Sequence, residues 1–312
     1  VLDRLLSRRL LFLSGKGGVG KSVVGAALAL CAQRRGRRTC LVEIEAPLPA
    51  ARLLGGQPGS SPTLPAEVLP GLFTINLEPT AVMEEYVRRT LHVELFVRKI
   101  LHSPIYQRFY AAAPGLPELM LLGKIMDLTT ERHEFDVVIV DAPSTGHGLS
   151  FLKVPSAAST AIPMGPVGNA ARRIVAQLQD SARTVLAVVA IPEEMAVVEG
   201  LEFLQQARDE VGIAAEAVIL NQCHEPVFDA REEAQVLDLL ASERGGRLAR
   251  GVTLRGALVA ARRQMRRRKL TRFYETRLRR ATSLPLVRLP RLFVEQFGEA
   301  ELRRLAARLE AA

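Results

Sequence analysis

Residues 9–14, RLLFLS, run straight into GKGGVGKS at 15–22, and SVVGAALALCAQRRG follows. This succession limits the fold more than any other stretch of the chain. An apolar run with no polar alternation is a strand buried on both faces. Four glycines within six positions (Gly15, Gly17, Gly18, Gly20) make a loop stripped of side chains. The run that follows reads as a helix ending near Gly36. A strand of this kind needs cover on both sides, and the helix leaving the loop must supply part of it.

The rest of the chain repeats the pattern. RRTCLVEIE, GLFTINLE (71–78), FDVVIVD at the head of 135–148, TVLAVVAIP (184–192), AVILNQ (217–222) and PLVRLP (285–290) read as further strands. Helical spacing covers 81–108 and 116–132, and helices fit 194–210, 230–243, 254–281 and 294–311. Unalternating strands separated by helices predict an α/β fold, a mostly parallel sheet with helices on both faces. The segment 153–172, KVPSAASTAIPMGPVGNAAR, reads as a loop or loosely ordered surface element because of its Pro, Gly and Ser. The chain reads as one domain, 1–312, with a helical elaboration at about 81–132.

The stretch from Gly15 to Ser22 fits GxxxxGK[ST]. Backbone N–H groups can converge on a polyphosphate only where side chains leave room, so glycines line the loop. The helix behind it aims free N–H groups and its positive dipole end at the same anion. Lys21 is expected to reach the terminal phosphates, and Ser22 to offer its hydroxyl to Mg²⁺.

The form KGGVGK[ST], with Lys16 inside the loop, resembles the deviant Walker A loop of the SIMIBI class of P-loop NTPases. In that class the extra lysine reaches across a dimer interface to the partner's nucleotide, as an arginine finger would. Further stretches narrow the resemblance to the ArsA / tail-anchored-protein-targeting (Get-pathway) ATPase family, in its bacterial single-domain branch. DAPSTGHGLSFLKVP (141–155) is similar to the family's switch II segment DTAPTGHTLRFLxLP. ILNQ (219–222) resembles its adenine-reading VNQ, IPEEMAVVEGLEFL (191–204) its PExxxxxET helix, and APGLPELMLLGKIMDL (113–128) its APGxxExxxxxK stretch. A weaker likeness covers 261–278 and 284–290.

The resemblance implies a Mg²⁺-dependent ATPase that hydrolyses ATP at a nucleotide-sandwich dimer interface and turns nucleotide state into a change of shape acting on a client. Lys16, Lys21 and Glu45 would carry the chemistry. The nucleotide would lie against Gly15, Gly17, Gly18, Val19 and Gly20, the helix start at Ser22 and Val23, and Gly146, Asn221, Leu289 and Pro290. Ser22 and, through water, Asp141 would serve the metal. Asn221 can bond both edges of adenine through its amide. His147 and Thr145 would move with switch II, His147 without a catalytic part.

Departures from the family pattern are as informative. Its switch I reads TDPA, with the Asp positioning the attacking water; a bacterial branch reads VEVDAKG. Here VEIEAPLP puts Glu45 at that place, an arm longer by about 1.5 Å in a task that needs ångström placement. An ATP-binding scaffold or regulatory subunit with little hydrolysis therefore stays an alternative. Glu43 is the weaker candidate, on the other strand face. The large client-enclosing insert after Pro155 is missing, and so is the zinc CxxC. Val82, Met83, Leu95, Phe96, Ile100, Leu119, Leu122 and Met126 read as packing between helices, or as a groove for a client helix.

Three separated cysteines, Cys31, Cys40 and Cys223, give no disulfide framework or zinc site, and no arsenite site is expected. A cytoplasmic setting follows. No apolar run reaches membrane-spanning length, and the first one leads into the glycine loop rather than a cleavage site. The net charge of +9 is local: residues 244–280 hold 13 Arg, one Lys and one Glu. Residues 262–280 read as an amphipathic helix with Met265, Leu270, Phe273, Tyr274 and Leu278 inward. Its basic side could meet an anionic membrane, an acidic partner or nucleic acid, which keeps a ParA/MinD-like positioning ATPase as a second alternative. The expected partners are a second copy or a related ATPase, and an unknown client protein.

Overall fold

Leu10–Ser14 forms β1, near the middle of a sheet of eight strands among the described residues. The computed structural model describes residues 1–47, 49–90, 103, 115–130, 135–241 and 253–312. The other strands are β2 (Thr39–Ile44), β3 (Ala66–Leu69), β4 (Leu72–Leu77), β5 (Val137–Asp141), β6 (Thr184–Ala190), β7 (Ala215–Cys223) and β8 (Leu286–Pro290). Their spatial order is β3-β4-β2-β5-β1-β6-β7-β8. Every neighbouring pair is parallel except β3–β4 at the edge.

The strands lack polar alternation because both faces are covered. Leu10 and Phe12 point into one core with Cys40, Val42, Val138, Val140, Leu186 and Val188. Leu11 and Leu13 point into the other with Leu41, Ile139, Val185 and Ala187. On the second face lie α1 (Leu2–Leu6), α2 (Lys21–Arg34) and α10 (Glu299–Glu310). On the first lie α3 (Pro79–Thr90), α4 (Leu116–Leu128), α5 (Thr145–Ala161), α6 (Gly165–Gln179) and α7 (Glu194–Gln206). The helices α8 (Ala230–Ala241) and α9 (Leu254–Ala281) pack through a small cluster of Val236, Leu258 and Met265.

The chain turns from one side of β1 to the other between β5 and β6. The carboxyl end of β1 is therefore a topological switch point, where loops part and leave a crevice for ligands. The glycine loop occupies that place.

Several expectations change. Residues 153–172 are largely helical: α5 continues to Ala161 and α6 begins at Gly165. The glycine and proline at 165–166 open a helix, where proline's missing N–H costs nothing. The small residues serve close packing; a Cβ on Gly168 would lie 1.9 Å from the Ile162 carbonyl oxygen. The last helix starts at Glu299, not 294, where the Gly298 N–H donates to Glu301. The seventh helix ends at Gln206 and passes into a π turn, Ala207–Val211. Of the elaboration at 81–132, α3 and α4 are described; Leu95, Phe96 and Ile100 lie outside the described residues.

On α9 the inward set is Met265, Thr271, Tyr274 and Leu278. Leu270 and Phe273 are instead exposed, at 48% and 59%. Tyr274 and Leu278 already fill the side facing the sheet, and Phe273 lies edge-on to the Tyr274 ring, 5.0 Å between centroids, on the solvent side with Lys269, Arg272, Thr276, Arg277 and Arg280.

Candidate nucleotide site

The loop 15–20 is shaped by its glycines at two points. Gly15 (φ 154°) sits so close to β6 that a Cβ would meet the Val189 carbonyl oxygen at 2.1 Å. Gly20 (φ 89°) is left-handed as it enters α2, and a Cβ there would lie 2.6 Å from Asn221 Nδ2. That amide donates to the Val19 carbonyl at 2.9 Å. Asn221 is buried at the end of β7, so it ties the loop to the sheet beside the place expected for a base. Gly17 and Gly18 face open space and Val19 is in the core, so the loop is anchored below and bare above.

Lys21 opens α2, and its ammonium donates to the carbonyls of Gly15 (3.1 Å) and Lys16 (3.4 Å). Burial pulls its pKa down against the opposing pull of Asp141. Ser22, one residue on, donates its hydroxyl to Asp141 Oδ2. Strand pairing brings the acid there, since Leu13 of β1 is in register with Asp141 of β5. Burial pushes the Asp141 carboxyl up, while Ser22 and Lys21 hold it down. Its other oxygen, Oδ1, is buried without a hydrogen-bond partner, and so is Ser14 Oγ just before the loop. An acid oxygen left free beside a hydroxyl is the donor set a hydrated Mg²⁺ takes. The bare loop amides fit phosphate in the same way.

Switch II is fastened to the loop. The Thr145 N–H donates to the Gly15 carbonyl at 3.2 Å. Gly146 and His147 are exposed in the first turn of α5. Sequence reasoning missed a third member of this group. Glu199 on α7 pairs with Lys16 through Oε1 and accepts the Thr145 hydroxyl through Oε2 at 3.1 Å. The Lys16 hydrogen bond holds its carboxyl below the usual range. The signal was present, because Glu199 lies in the stretch 191–204 that carried part of the resemblance.

Glu45 leaves β2 with φ 47°, one of two non-glycine residues described with positive φ; the other is Gln222, beside Asn221. A left-handed backbone on an L residue costs on the order of 1 kcal/mol and tends to persist where a site needs it. Glu43 is not set apart by strand face: the two-residue period of β2 gives positions 43 and 45 one side until the left-handed turn at Glu45. It is buried and accepts the Ala50 N–H with both oxygens, at 3.0 and 2.8 Å. Leu289 is fully buried, so only its backbone is available to a base, while Pro290 is in register with Cys223. All three cysteines are buried free thiols. Burial pushes Cys31 up to about 12 and Cys223 up to about 11. No described helix is long and apolar enough to cross a membrane.

A glycine loop at the switch point of a mostly parallel sheet, with a lysine and a hydroxyl opening the next helix and an acid on the adjacent strand, defines the P-loop ATPase class. Residues 8–165 match the family of anion-transporting ATPases. The chain is 31% identical over 271 residues to ATPase BagA of Mycobacterium tuberculosis (strain H37Rv), covering 81% of this chain and 77% of that protein. It is 26% identical over 257 residues to ATPase GET3 of Malassezia globosa, covering 71% and 74%. It is 31% identical over 146 residues to an ATPase ASNA1 homolog of Dictyostelium discoideum, covering 47% and 41%. The chain belongs to this ArsA/Get3 family of ATPases and is an ATP-hydrolysing enzyme.

Proposed function

We propose that two copies of the chain, or this chain and a related ATPase, close face to face over two ATP molecules, hydrolyse them with Mg²⁺, and pass the change of shape to a client protein. Each subunit acts in this as one domain. The observation that carries the reading is Lys16. It stands on the rim of the loop with its side chain 37% exposed, held among the described residues by the Glu199 carboxylate. A lysine needed only for its own site would turn inward, as Lys21 does.

The roles follow from the geometry. The amides of 15–20 and the N-terminus of α2 hold phosphate oxygens. Lys21 adds charge beside the terminal phosphates from a partly desolvated position, where a charge acts more strongly. Ser22 and Asp141 hold Mg²⁺, Asp141 through water; bound there, the ion offsets charge on the phosphates and fixes their orientation. Lys16 leaves Glu199 and approaches the partner's nucleotide, which frees Glu199 Oε1 and alters the carboxylate that Thr145 also uses. Glu45 orients the attacking water. Asn221 and the backbone at Leu289 and Pro290 flank the base.

Complementation tests the dimer. Lys16→Ala is mixed with Lys21→Ala, each inactive alone. In the mixed dimer the Lys16→Ala subunit binds ATP and its partner supplies the intact Lys16. Recovery of a substantial part of wild-type turnover supports the reading, and none, with mixed dimers seen by crosslinking, overturns it. Single-turnover hydrolysis beside Glu45→Asp separates an enzyme from an ATP-binding scaffold.

The exposed face of α9 favours a second contact. Lys269, Arg272, Arg277 and Arg280 line one hollow with Phe273, whose exposed ring rests against the buried Tyr274. An aromatic among cations suits an anionic bilayer, the ring entering the headgroup layer. Salt-sensitive sedimentation with phosphatidylserine vesicles, lost in Phe273→Ala, supports it. Retention of DNA but not vesicles turns the reading to nucleic acid.

A further inference from the structure

The corner that carries Glu45 is built by side chains from two strands. Glu45 continues the β2–β4 ladder, its N–H donating to the Leu77 carbonyl at 3.0 Å. It then turns left-handed, at φ 47°. The next peptide groups have left the ladder and need other partners. Asn76 of β4 supplies them. Its Oδ1 accepts the Ala46 N–H and its Nδ2 donates to the Ala46 carbonyl, both at 2.9 Å. One primary amide thus satisfies both backbone groups of the residue after Glu45, as another strand would. Asn76 stands in register with Glu43, whose carboxylate takes the Ala50 N–H further along.

No other common side chain reproduces this pair of bonds. Asp offers acceptors only, Ala neither group, and Gln carries its amide a methylene further out. With Asn76 replaced, two backbone groups lose their partners and little holds Glu45 in the left-handed basin. A return to the right-handed or extended basin redirects its Cα–Cβ bond and swings the carboxylate away.

We propose that Asn76 is a positioning residue for hydrolysis: by bracketing Ala46 it locks the left-handed corner from which Glu45 orients water. This rests on Glu45 having that role. The glycine loop and its own anchors, Val189 and Asn221, lie elsewhere, so Asn76 should govern turnover and leave nucleotide binding alone.

The test is a double-mutant cycle with Asn76→Ala and Glu45→Gln, reading kcat, ATP affinity by titration calorimetry, and melting temperature. Asn76→Ala is expected to lower kcat on the order of tenfold to a hundredfold with the ATP Kd within about twofold of wild type. Added to Glu45→Gln it should lower kcat no further, because the residue it positions is already disabled. Should Asn76→Ala fail to fold, Asn76→Asp retains the acceptor for the Ala46 N–H and should show the same split. Wild-type kcat in a folded Asn76 variant overturns the proposal while leaving Glu45 untouched. So does equal loss of kcat and ATP affinity, or full additivity with Glu45→Gln, either of which marks general structural damage. Wild-type turnover in Glu45→Gln alone removes the reading beneath it, and the proposal falls with it.

Discussion

Lys16 and Glu199 form an ion pair within a single chain, although 183 positions separate them in sequence. The same carboxylate accepts the Thr145 hydroxyl. A lysine expected to serve a partner is thus held at home by the residue that also touches switch II.

In the proposed dimer, release of Lys16 is a cost that closure would have to meet. Glu199→Gln removes the charge and keeps a hydrogen-bond acceptor for Thr145. A pair this exposed contributes at most about 1 kcal/mol. Two such pairs open as two copies close, so the ATP-dependent dimer of the variant should be tighter than wild type by up to about thirtyfold. Sedimentation velocity with a non-hydrolysable ATP analogue reads this directly; a weaker dimer would show that Glu199 supports closure instead.

Two glycines of the same loop should behave differently. Gly17→Ala adds a methyl group into open space and should leave the melting temperature unchanged while lowering ATP affinity, because the methyl covers a bare amide. Gly20→Ala forces a left-handed alanine against Asn221 and breaks the Asn221–Val19 bond, so it should lower both. Calorimetry and thermal melts on the pair separate the two effects.

Glu43 gives the fold a pH dependence. Burial pushes its carboxyl from 4.5 up to about 7, opposed by the Ala50 N–H and reinforced by Asp141. The folded value is above the unfolded one, so the native state holds the extra proton and stability falls as pH rises from about 4.5 to 7. Glu43→Gln cannot ionise. Measured without nucleotide and with a chelator, its stability relative to wild type should improve by about 2–3 kcal/mol between pH 4.5 and pH 8. A constant difference across that range would place the proton elsewhere.

Between α3 and α4, Lys124 is buried and bonds both oxygens of Glu85, at 2.7 and 2.8 Å. Glu85→Ala leaves an uncompensated buried ammonium and should cost about 3 kcal/mol, whereas Lys124→Met leaves a carboxylate with access to water and should cost less. Urea unfolding of both variants checks the order.

The sheet was legible because burial on both faces imposes an unbroken apolar pattern on β1, β2, β5, β6 and β7, while β4 and β8, partly exposed, still carried enough apolar residues to be read as strands. The edge strand β3, AEVL, did not, being short and only partly buried. The paired α5 and α6 were misread because Gly165, Pro166 and Gly168 are loop-forming residues in isolation and helix-packing residues in contact. In the site, Lys21, Ser22 and Asp141 were readable because a loop and a strand end fix their places locally. Glu199 and Asn76 were not assigned roles, since each reaches the site from a distant element through packing. The outward turn of Phe273 was hidden for a related reason: Phe273 and Tyr274 are alike in sequence, and only the neighbouring sheet decides which is covered.

The hook between Thr145 and Gly15 has a mechanical meaning. Thr145 is the first residue of a 17-residue helix about 25 Å long, with Pro155 inside it and its far end near Gly168. In the proposed switch, a few degrees of tilt at the phosphate end would become an ångström or more at the opposite tip, and that displacement is what a client protein would read on the outer surface.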